Sequence, residues 1–135
     1  MNILFHLLPK ENVAYITENS TLRQAMEKME HHRYSAVPII NDNGKYVGVL
    51  REGDILWYIK NLDNFNITVA ERVLISDIPR IKDHLSTTVT AKLEDLIDLS
   101  VQQNFIPVVD DINNFIGIIT RKSIISYLRN NTKEQ

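Results

Sequence analysis

A single period organises this chain: what stands in its first half returns 69 positions later. Pro38 recurs as Pro107, Asp42 as Asp111 and Gly48 as Gly117, while Asp54 aligns with Ser123. Around these anchors Ser35-Ala36-Val37-Pro38-Ile39-Ile40 matches Asn104-Phe105-Ile106-Pro107-Val108-Val109. Likewise Tyr46-Val47-Gly48-Val49-Leu50 matches Phe115-Ile116-Gly117-Ile118-Ile119. A fixed-period repeat is one supersecondary unit used twice, with a shared interface that neither copy buries alone. A repeat of roughly 60 residues is marginal by itself, so the two copies are expected to pack as one body.

Each copy reads as β-α-β-β-α. Val13-Ala14-Tyr15-Ile16 is a short strand. Thr21 and Gln24 then have the spacing of a capping box, and Leu22, Ala25, Met26 and Met29 share one helical face. Tyr34 to Ile40 is rich in strand formers. Asn41-Asp42-Asn43-Gly44 is a hairpin turn in which Gly44 takes positive φ, and Tyr46 to Leu50 is the returning strand. Ile55, Leu56 and Ile59 mark a second helix, followed by a linker from Leu62 to Asn66. In the second copy Ile78-Pro79-Arg80-Ile81 is the short strand and Thr90 precedes a helix carrying Leu93, Leu96, Ile97 and Val101. Glu94 and Asp95 there stand opposite Ala25 and Met26, a shift of about two residues. Ile124, Ile125, Tyr127 and Leu128 repeat Ile55, Leu56, Tyr58 and Ile59. The apolar start, Met1 to Pro9, lacks a basic leader and a cleavage site and is expected to cap the core rather than to serve as a signal peptide. No run reaches the ~18 apolar residues of a membrane span. The polar tail from Asn130 to Gln135 is expected to fray.

Composition narrows the function classes. A net charge of -2 argues against a broad basic face for nucleic acid. The chain has no cysteine, hence no disulfide, thiolate nucleophile or thiolate metal site, which is compatible with the cytoplasm. His31 and His32 are adjacent and so point apart on a helix; no metal site is expected there. Glu27, Glu30, Asp95 and Asp98 belong to solvated helix faces. There is no glycine-rich nucleotide loop and no convergent acid-base set, so catalysis is not expected. Met26 and Met29 read as core, and Trp57 and Tyr58 as a dimer face.

The chemistry concentrates at two strand-to-helix junctions, Gly48-Val49-Leu50-Arg51-Glu52-Gly53-Asp54 and Gly117-Ile118-Ile119-Thr120-Arg121-Lys122-Ser123. A glycine inside a strand costs stability unless something must approach the backbone closely, and a helix start favours an anion. Thr120, Arg121 and Lys122 put a hydroxyl and two cations at the second start, a grip for phosphate. Asp54 offers the first a carboxylate able to accept from ribose hydroxyls. The competing reading is that Thr120 and Asp54 only cap helices while the cations are solvated.

The repeat, the strands Pro-Ile-Ile and Pro-Val-Val followed by Asn-Asp and Asp-Asp, and the glycine-led junctions together resemble the CBS domain. The tandem resembles a CBS pair, or Bateman module, over roughly residues 8 to 130. This resemblance implies an α+β fold of two β-α-β-β-α repeats packed pseudo-symmetrically as one module, with repeat 1 at 8–62 and repeat 2 at 73–130. It also implies that adenosine compounds bind in two clefts, each taking a base pocket from one repeat and a junction from the other. The first cleft would set Val13, Ala14, Tyr34, Ser35, Ala36 and Pro38 around the base, with Thr120, Arg121 and Lys122 at the phosphate. The second would use Ile78, Arg80, Asn104, Phe105 and Ile106 with Arg51 and Asp54, narrowed by Phe105 where the first copy has Ala36. The family's junction carries Thr or Ser and then Asp; here the first copy has Arg51 for the hydroxyl and the second has Ser123 for the Asp.

Within the family, the stretch Ile67 to Arg80, Val13-Ala14 and Thr120-Arg121-Lys122 resemble stand-alone CBS-pair proteins of Gram-positive bacteria that bind cyclic di-AMP. That ligand has no free vicinal diol, so Ser123 costs it little, and two cations suit its two phosphates. The resemblance thus implies a cytoplasmic, non-catalytic, homodimeric sensor of cyclic di-AMP that signals to a partner protein, with no cofactor, metal, nucleic acid or membrane. An AMP, ADP or ATP energy sensor and a structural dimerisation module without ligand are the alternatives.

Overall fold

The computed structural model describes residues 2–133. After a 3-10 turn at Ile3–Phe5 the chain forms β1 (Leu8–Pro9), β2 (Ile16–Thr17), α1 (Leu22–His32), β3 (Ala36–Ile40), β4 (Tyr46–Arg51), α2 (Glu52–Lys60) and α3 (Ile67–Ala70). There follow α4 (Leu93–Gln102), β5 (Phe105–Val109), β6 (Phe115–Thr120) and α5 (Arg121–Lys133). Contacts divide the chain into two compact units. The first is Ala14–Asp83; the second joins the chain before Ala14 to the chain from His84 onward. Each unit is a mixed α+β layer with a three-stranded sheet, ordered β2-β3-β4 in the first and β1-β6-β5 in the second.

In the first unit β2 runs parallel to β3 with Ile16 beside Ile39. β3 and β4 are antiparallel, pairing Ala36 with Arg51 and Ile39 with Gly48. The capping box forms as expected. The Thr21 hydroxyl accepts from the Gln24 amide at 3.1 Å and the Gln24 side chain accepts from the Thr21 amide at 2.9 Å. Ile16, Leu22, Ala25, Met29, Val37, Ile39, Leu50 and Ile55 make the core together with Ala70, Ile75 and Ile78, so the stretch after the second helix completes this unit.

In the second unit β5 and β6 are antiparallel, with Phe105 opposite Thr120. The short β1 adds on the other side of β6, antiparallel, with Pro9 opposite Gly117. Ile3 enters a core of Leu96, Ile106, Val108, Ile119 and Ile124. The apolar start therefore caps a core, and the core is that of the second copy. The two hairpins use one device with different residues. Gly44 and Asn113 both have positive φ, 78° and 67°, and the preceding Asn41 and Asp110 side chains each accept from two turn amides.

Several boundaries differ from the sequence reading. The first short strand is Ile16–Thr17 rather than Val13 to Ile16. No strand forms at Ile78 to Ile81; Thr87 instead bridges Val108 in parallel, donating to Pro107 at 2.9 Å and accepting from Val109 at 2.8 Å. The helix expected after Thr90 starts at Leu93, and the amide of the preceding Lys92 donates to Asp95 at 3.2 Å. One cause accounts for these shifts in the second copy. Ile16 to Thr87 and Leu22 to Leu93 are 71 positions apart, whereas Ala36 to Phe105 is 69. The first copy closes α1 with Arg33 in the left-handed region, φ 58°. The second omits that turn and leaves α4 through an extended Gln103. At the C-terminus α5 stays helical to Lys133 instead of fraying from Asn130; Glu134 and Gln135 lie outside the described residues. Among the described residues no helix is long and apolar enough to cross a membrane.

Candidate functional site

In the first unit the junction from β4 to α2 is a closed polar centre. Asp54 is 3% exposed. Its Oδ2 accepts from the Arg51 amide at 3.0 Å, which makes it the cap of α2, and its Oδ1 accepts from the Ile81 amide at 3.2 Å. The Glu52 amide is used by Ser35 at 3.0 Å. Beside this, Asp83 takes the Val49 amide at 3.0 Å and a two-pronged bond from Arg80, Nε to Oδ1 at 2.8 Å and Nη2 to Oδ2 at 3.2 Å. Burial pushes the Asp83 carboxyl up, but the Arg80 bond, the Val49 amide and the positive charges of Arg80 and Arg51 outweigh it, so it lies below the usual carboxylate range. Tyr46 on the same strand is pushed well above its ordinary range by burial and then by the Asp83 charge, which keeps its phenol protonated.

Gly48 has its close approach, and the approaching group is internal. A Cβ there would stand 2.3 Å from Asp83 Oδ1. Asp54 lines a cavity of about 330 Å³ with Trp57, Tyr58, Asn61, Asp77, Pro79 and Ile81. Of the second-cleft residues in this unit, Arg51, Asp54 and Arg80 therefore meet around one centre, while the Ile78 side chain is buried in the core.

The first-cleft residues of this unit sit around the start of β3. Ala36 and Pro38 are buried in the strand and Ala14 is half-buried, whereas Ser35 is exposed. Tyr34 stacks on His32, ring centres 5.3 Å apart at 22°. It also lines a groove of about 680 Å³ with Met26, Met29, Gly53, Leu56 and Ile59.

In the second unit Gly117 admits another internal group, the Leu8 carbonyl, 2.2 Å from where a Cβ would stand. Thr120 caps α5, its hydroxyl accepting from the Ser123 amide at 3.1 Å. The Arg121 amide donates to Asn104 at 2.9 Å, the counterpart of the Ser35–Glu52 bond. Thr120 and Lys122 line one cavity of about 400 Å³ with His6, Ser123, Ser126, Tyr127, Asn130 and Asn131. Arg121 is held elsewhere: its Nε donates to the Ser100 carbonyl at 2.7 Å, at the end of α4, where a cation suits the helix dipole. Val13 belongs to this unit and is buried, as are Phe105 and Ile106.

Sequence reasoning missed three residues beside these groups. Asp83 and His84 fall in a stretch with no periodic pattern. Gln103, 5% exposed, replaces the missing turn: it exchanges bonds with Leu85 at 2.8 and 3.1 Å and donates to Phe105 at 3.2 Å. A buried polar residue before an apolar strand was the one available signal. Among the described residues no group of three or more His, Asp or Glu is placed to hold a metal ion.

Known proteins share this fold. A CbpB structure determined in complex with c-di-AMP is 28% identical, with a TM-score of 0.81 over 100% of this chain and 91% of that one. CBSX2 of Arabidopsis thaliana, solved with AMP, shares the fold at 22% identity and a TM-score of 0.72, covering 95% of this chain and 96% of that one. The uncharacterized protein MJ1426 of Methanocaldococcus jannaschii is 27% identical over 90% of this chain and 88% of its own. Other curated relatives are longer, and the chain spans between 21% and 48% of their length. The family model for the CBS domain matches residues 6–61 and again 75–130. With the model matched twice and most of the sequence covered, the chain belongs to the CBS domain family and carries that domain as a tandem pair.

Proposed function

We propose that this protein is a non-catalytic regulatory sensor of an adenine nucleotide, cyclic di-AMP before others. It would hold the base with Val13, Ala14, Tyr34, Ser35, Ala36 and Pro38 and the phosphate with Thr120, Arg121 and Lys122. The observation that carries the reading is the likeness, along the whole chain, to CbpB bound to c-di-AMP. The start of α5 supports it. Lys122 is exposed and lines the same cavity as Thr120. A guanidinium has five N–H donors, so the Ser100 bond orients Arg121 while using only one of them.

Ligand would act by population shift, favouring one arrangement of a cytoplasmic homodimer whose surface a partner protein reads. Leu56 and Trp57 are 57% and 49% exposed, an apolar set suited to a second copy, and in the other unit Ile125, which repeats Leu56, is 56% exposed. Tyr58 turns inward against the first core and is not part of that set. A second reading, sensing of AMP, ADP or ATP, rests on Asp54, the carboxylate a free ribose diol would use, whose two oxygens now accept from the Arg51 and Ile81 amides.

Titration calorimetry with cyclic di-AMP, AMP, ATP and S-adenosylmethionine tests this. Cyclic di-AMP is expected to bind, and Arg121→Ala to weaken it by roughly 1.5–3 kcal/mol, the value of a charge-assisted bond. Binding of no nucleotide would leave a structural dimerisation module. An unchanged affinity in Arg121→Ala would place the phosphates elsewhere.

A further inference from the structure

Within the first unit, Gly53 is a glycine without an internal reason. Gly48 and Gly117 each admit a group of the chain itself, but a Cβ on Gly53 would meet nothing nearer than Trp57 Nε1 at 4.0 Å, and its φ is not positive. A glycine inside a helix weakens it, and this one stands in the first turn of α2. Its missing side chain opens onto the groove of about 680 Å³ between α1 and α2. Met26 and Met29 of α1 and Ile55, Leu56 and Ile59 of α2 supply the apolar wall, all within the same unit. From Gly53 to Ile59 α2 rises roughly 9 Å, nearly two turns. Tyr34, which belongs to the set proposed for the base, lines the groove as well.

The charged residues that line this groove have no partner inside the protein. Glu30, Arg33 and Glu52 are exposed, and among the described residues their side chains make no ion pair or hydrogen bond. Elsewhere on α1, Arg23 is paired with both Glu27 and Glu71. Two carboxylates against one guanidinium leave the groove acidic, and a cationic occupant is complementary to it. A second copy offering the same face is not. An isologous contact that crosses α2 at Gly53 sets the adjacent Glu52 carboxylates of the two copies against each other. Of the apolar pair suited to a second copy, Leu56 lines this groove while Trp57 lines the cavity beside Asp54, so an occupant here leaves Trp57 to the copy.

We propose that the groove between α1 and α2 is the docking site of the partner protein and that its occupant is a basic amphipathic helix. Such a helix carries an apolar stripe at i, i+3 or i+4, and i+7, with Lys or Arg beside it. Gly53 lets its backbone come close, because the distance between packed helices is set by the side chains at their contact. Met26 and Met29, unbranched and flexible, adapt to whichever apolar residues the stripe brings. Glu30 and Glu52 pair with its cations. This rests on the reading that a partner protein reads the surface, and adds where it docks and by what chemistry.

The test follows the fluorescence anisotropy of a labelled helical peptide of Leu and Lys, about 14 residues or four turns long, and of its analogue with Glu for Lys. Wild type, Gly53→Leu and Glu30→Lys/Glu52→Lys are titrated, each checked for a cooperative thermal transition. The Lys peptide is expected to bind wild type at least tenfold more tightly than the Glu peptide, and to lose at least tenfold in affinity for Gly53→Leu. In Glu30→Lys/Glu52→Lys the preference is expected to reverse. Wild type that binds neither peptide, or both equally, overturns the docking site. So does an unchanged affinity in Gly53→Leu or a preference that does not reverse. If Gly53→Leu does not fold, Leu56→Gln, at a position 57% exposed, takes its place with the same expectation. Sedimentation separates partner from copy: an oligomeric state that Gly53→Leu leaves unchanged supports the partner, and a dimer that it turns into monomer puts a second copy in the groove and overturns the proposal. No nucleotide enters this titration, so it and the nucleotide calorimetry fail separately.

Discussion

Replacing the two junction glycines by alanine separates the physical reasons for their presence. At Gly117 φ is 157°, and a Cβ would stand 2.2 Å from the Leu8 carbonyl oxygen and 2.9 Å from Leu7 Cδ1. The carbonyl is backbone and cannot rotate aside, so β1 must move about 1 Å from β6 to reach ordinary contact. The side chain in a disfavoured backbone region costs roughly 1–3 kcal/mol. Each β1–β6 hydrogen bond that loosens adds about 1 kcal/mol. Gly117→Ala is therefore expected to lose about 3 kcal/mol of stability, a fall in Tm of roughly 10 °C for a chain of this size. Gly48 does not have positive φ, and its obstacle is the end of a side chain, Asp83 Oδ1 at 2.3 Å. Asp83 swings out and gives up a partly exposed ion pair, a loss of about 1 kcal/mol after solvent screening. Alanine's lower unfolded-state entropy returns about 0.4–1 kcal/mol, so Gly48→Ala is expected to stay within about 1 kcal/mol of wild type. Urea unfolding followed by far-ultraviolet circular dichroism measures both. Equal destabilisation, or Gly48→Ala as the worse variant, would refute the distinction between a fixed and a movable neighbour.

Two further expectations concern stability. Thr21→Ala removes the hydroxyl that serves Gln24 and is expected to cost about 1 kcal/mol; a urea midpoint equal to wild type would mean that the isolated bridge of Thr21 to Leu74 already holds that helix start. The Asp83 carboxyl lies below its ordinary 3.8 in the folded protein, so its contribution is whole above that value and is lost as pH falls through the folded pKa. Asp83→Asn is thus expected to flatten the acid limb of stability against pH while leaving neutral pH less affected; an unchanged acid limb would show that the carboxylate is not clasped.

Elements built from neighbours in sequence were legible. The capping box at Thr21 and the hairpin turn at Gly44 appear where spacing placed them, because each depends on residues within four positions of one another. The reading of Thr120 and Asp54 as helix caps was also available, and both do cap. The second copy's helix was misplaced because two residues are missing between its start and the next strand. A single period carries no record of where within the unit such a deletion falls.

Sequence alone determined that one supersecondary unit is used twice, that glycine stands at the Gly48 and Gly117 junctions, and that cations gather at the start of α5. Only the tertiary structure decided which core each connecting segment joins: Ile3 and β1 the second unit, Ala70, Ile75 and Ile78 the first. It also decided what comes close to each glycine, the Leu8 carbonyl at one and Asp83 at the other. The physical reason is the same in both cases. Apolar side chains fit any apolar face of suitable size, and a carbonyl or carboxylate arriving from 109 or 35 positions away leaves no periodic trace in the chain.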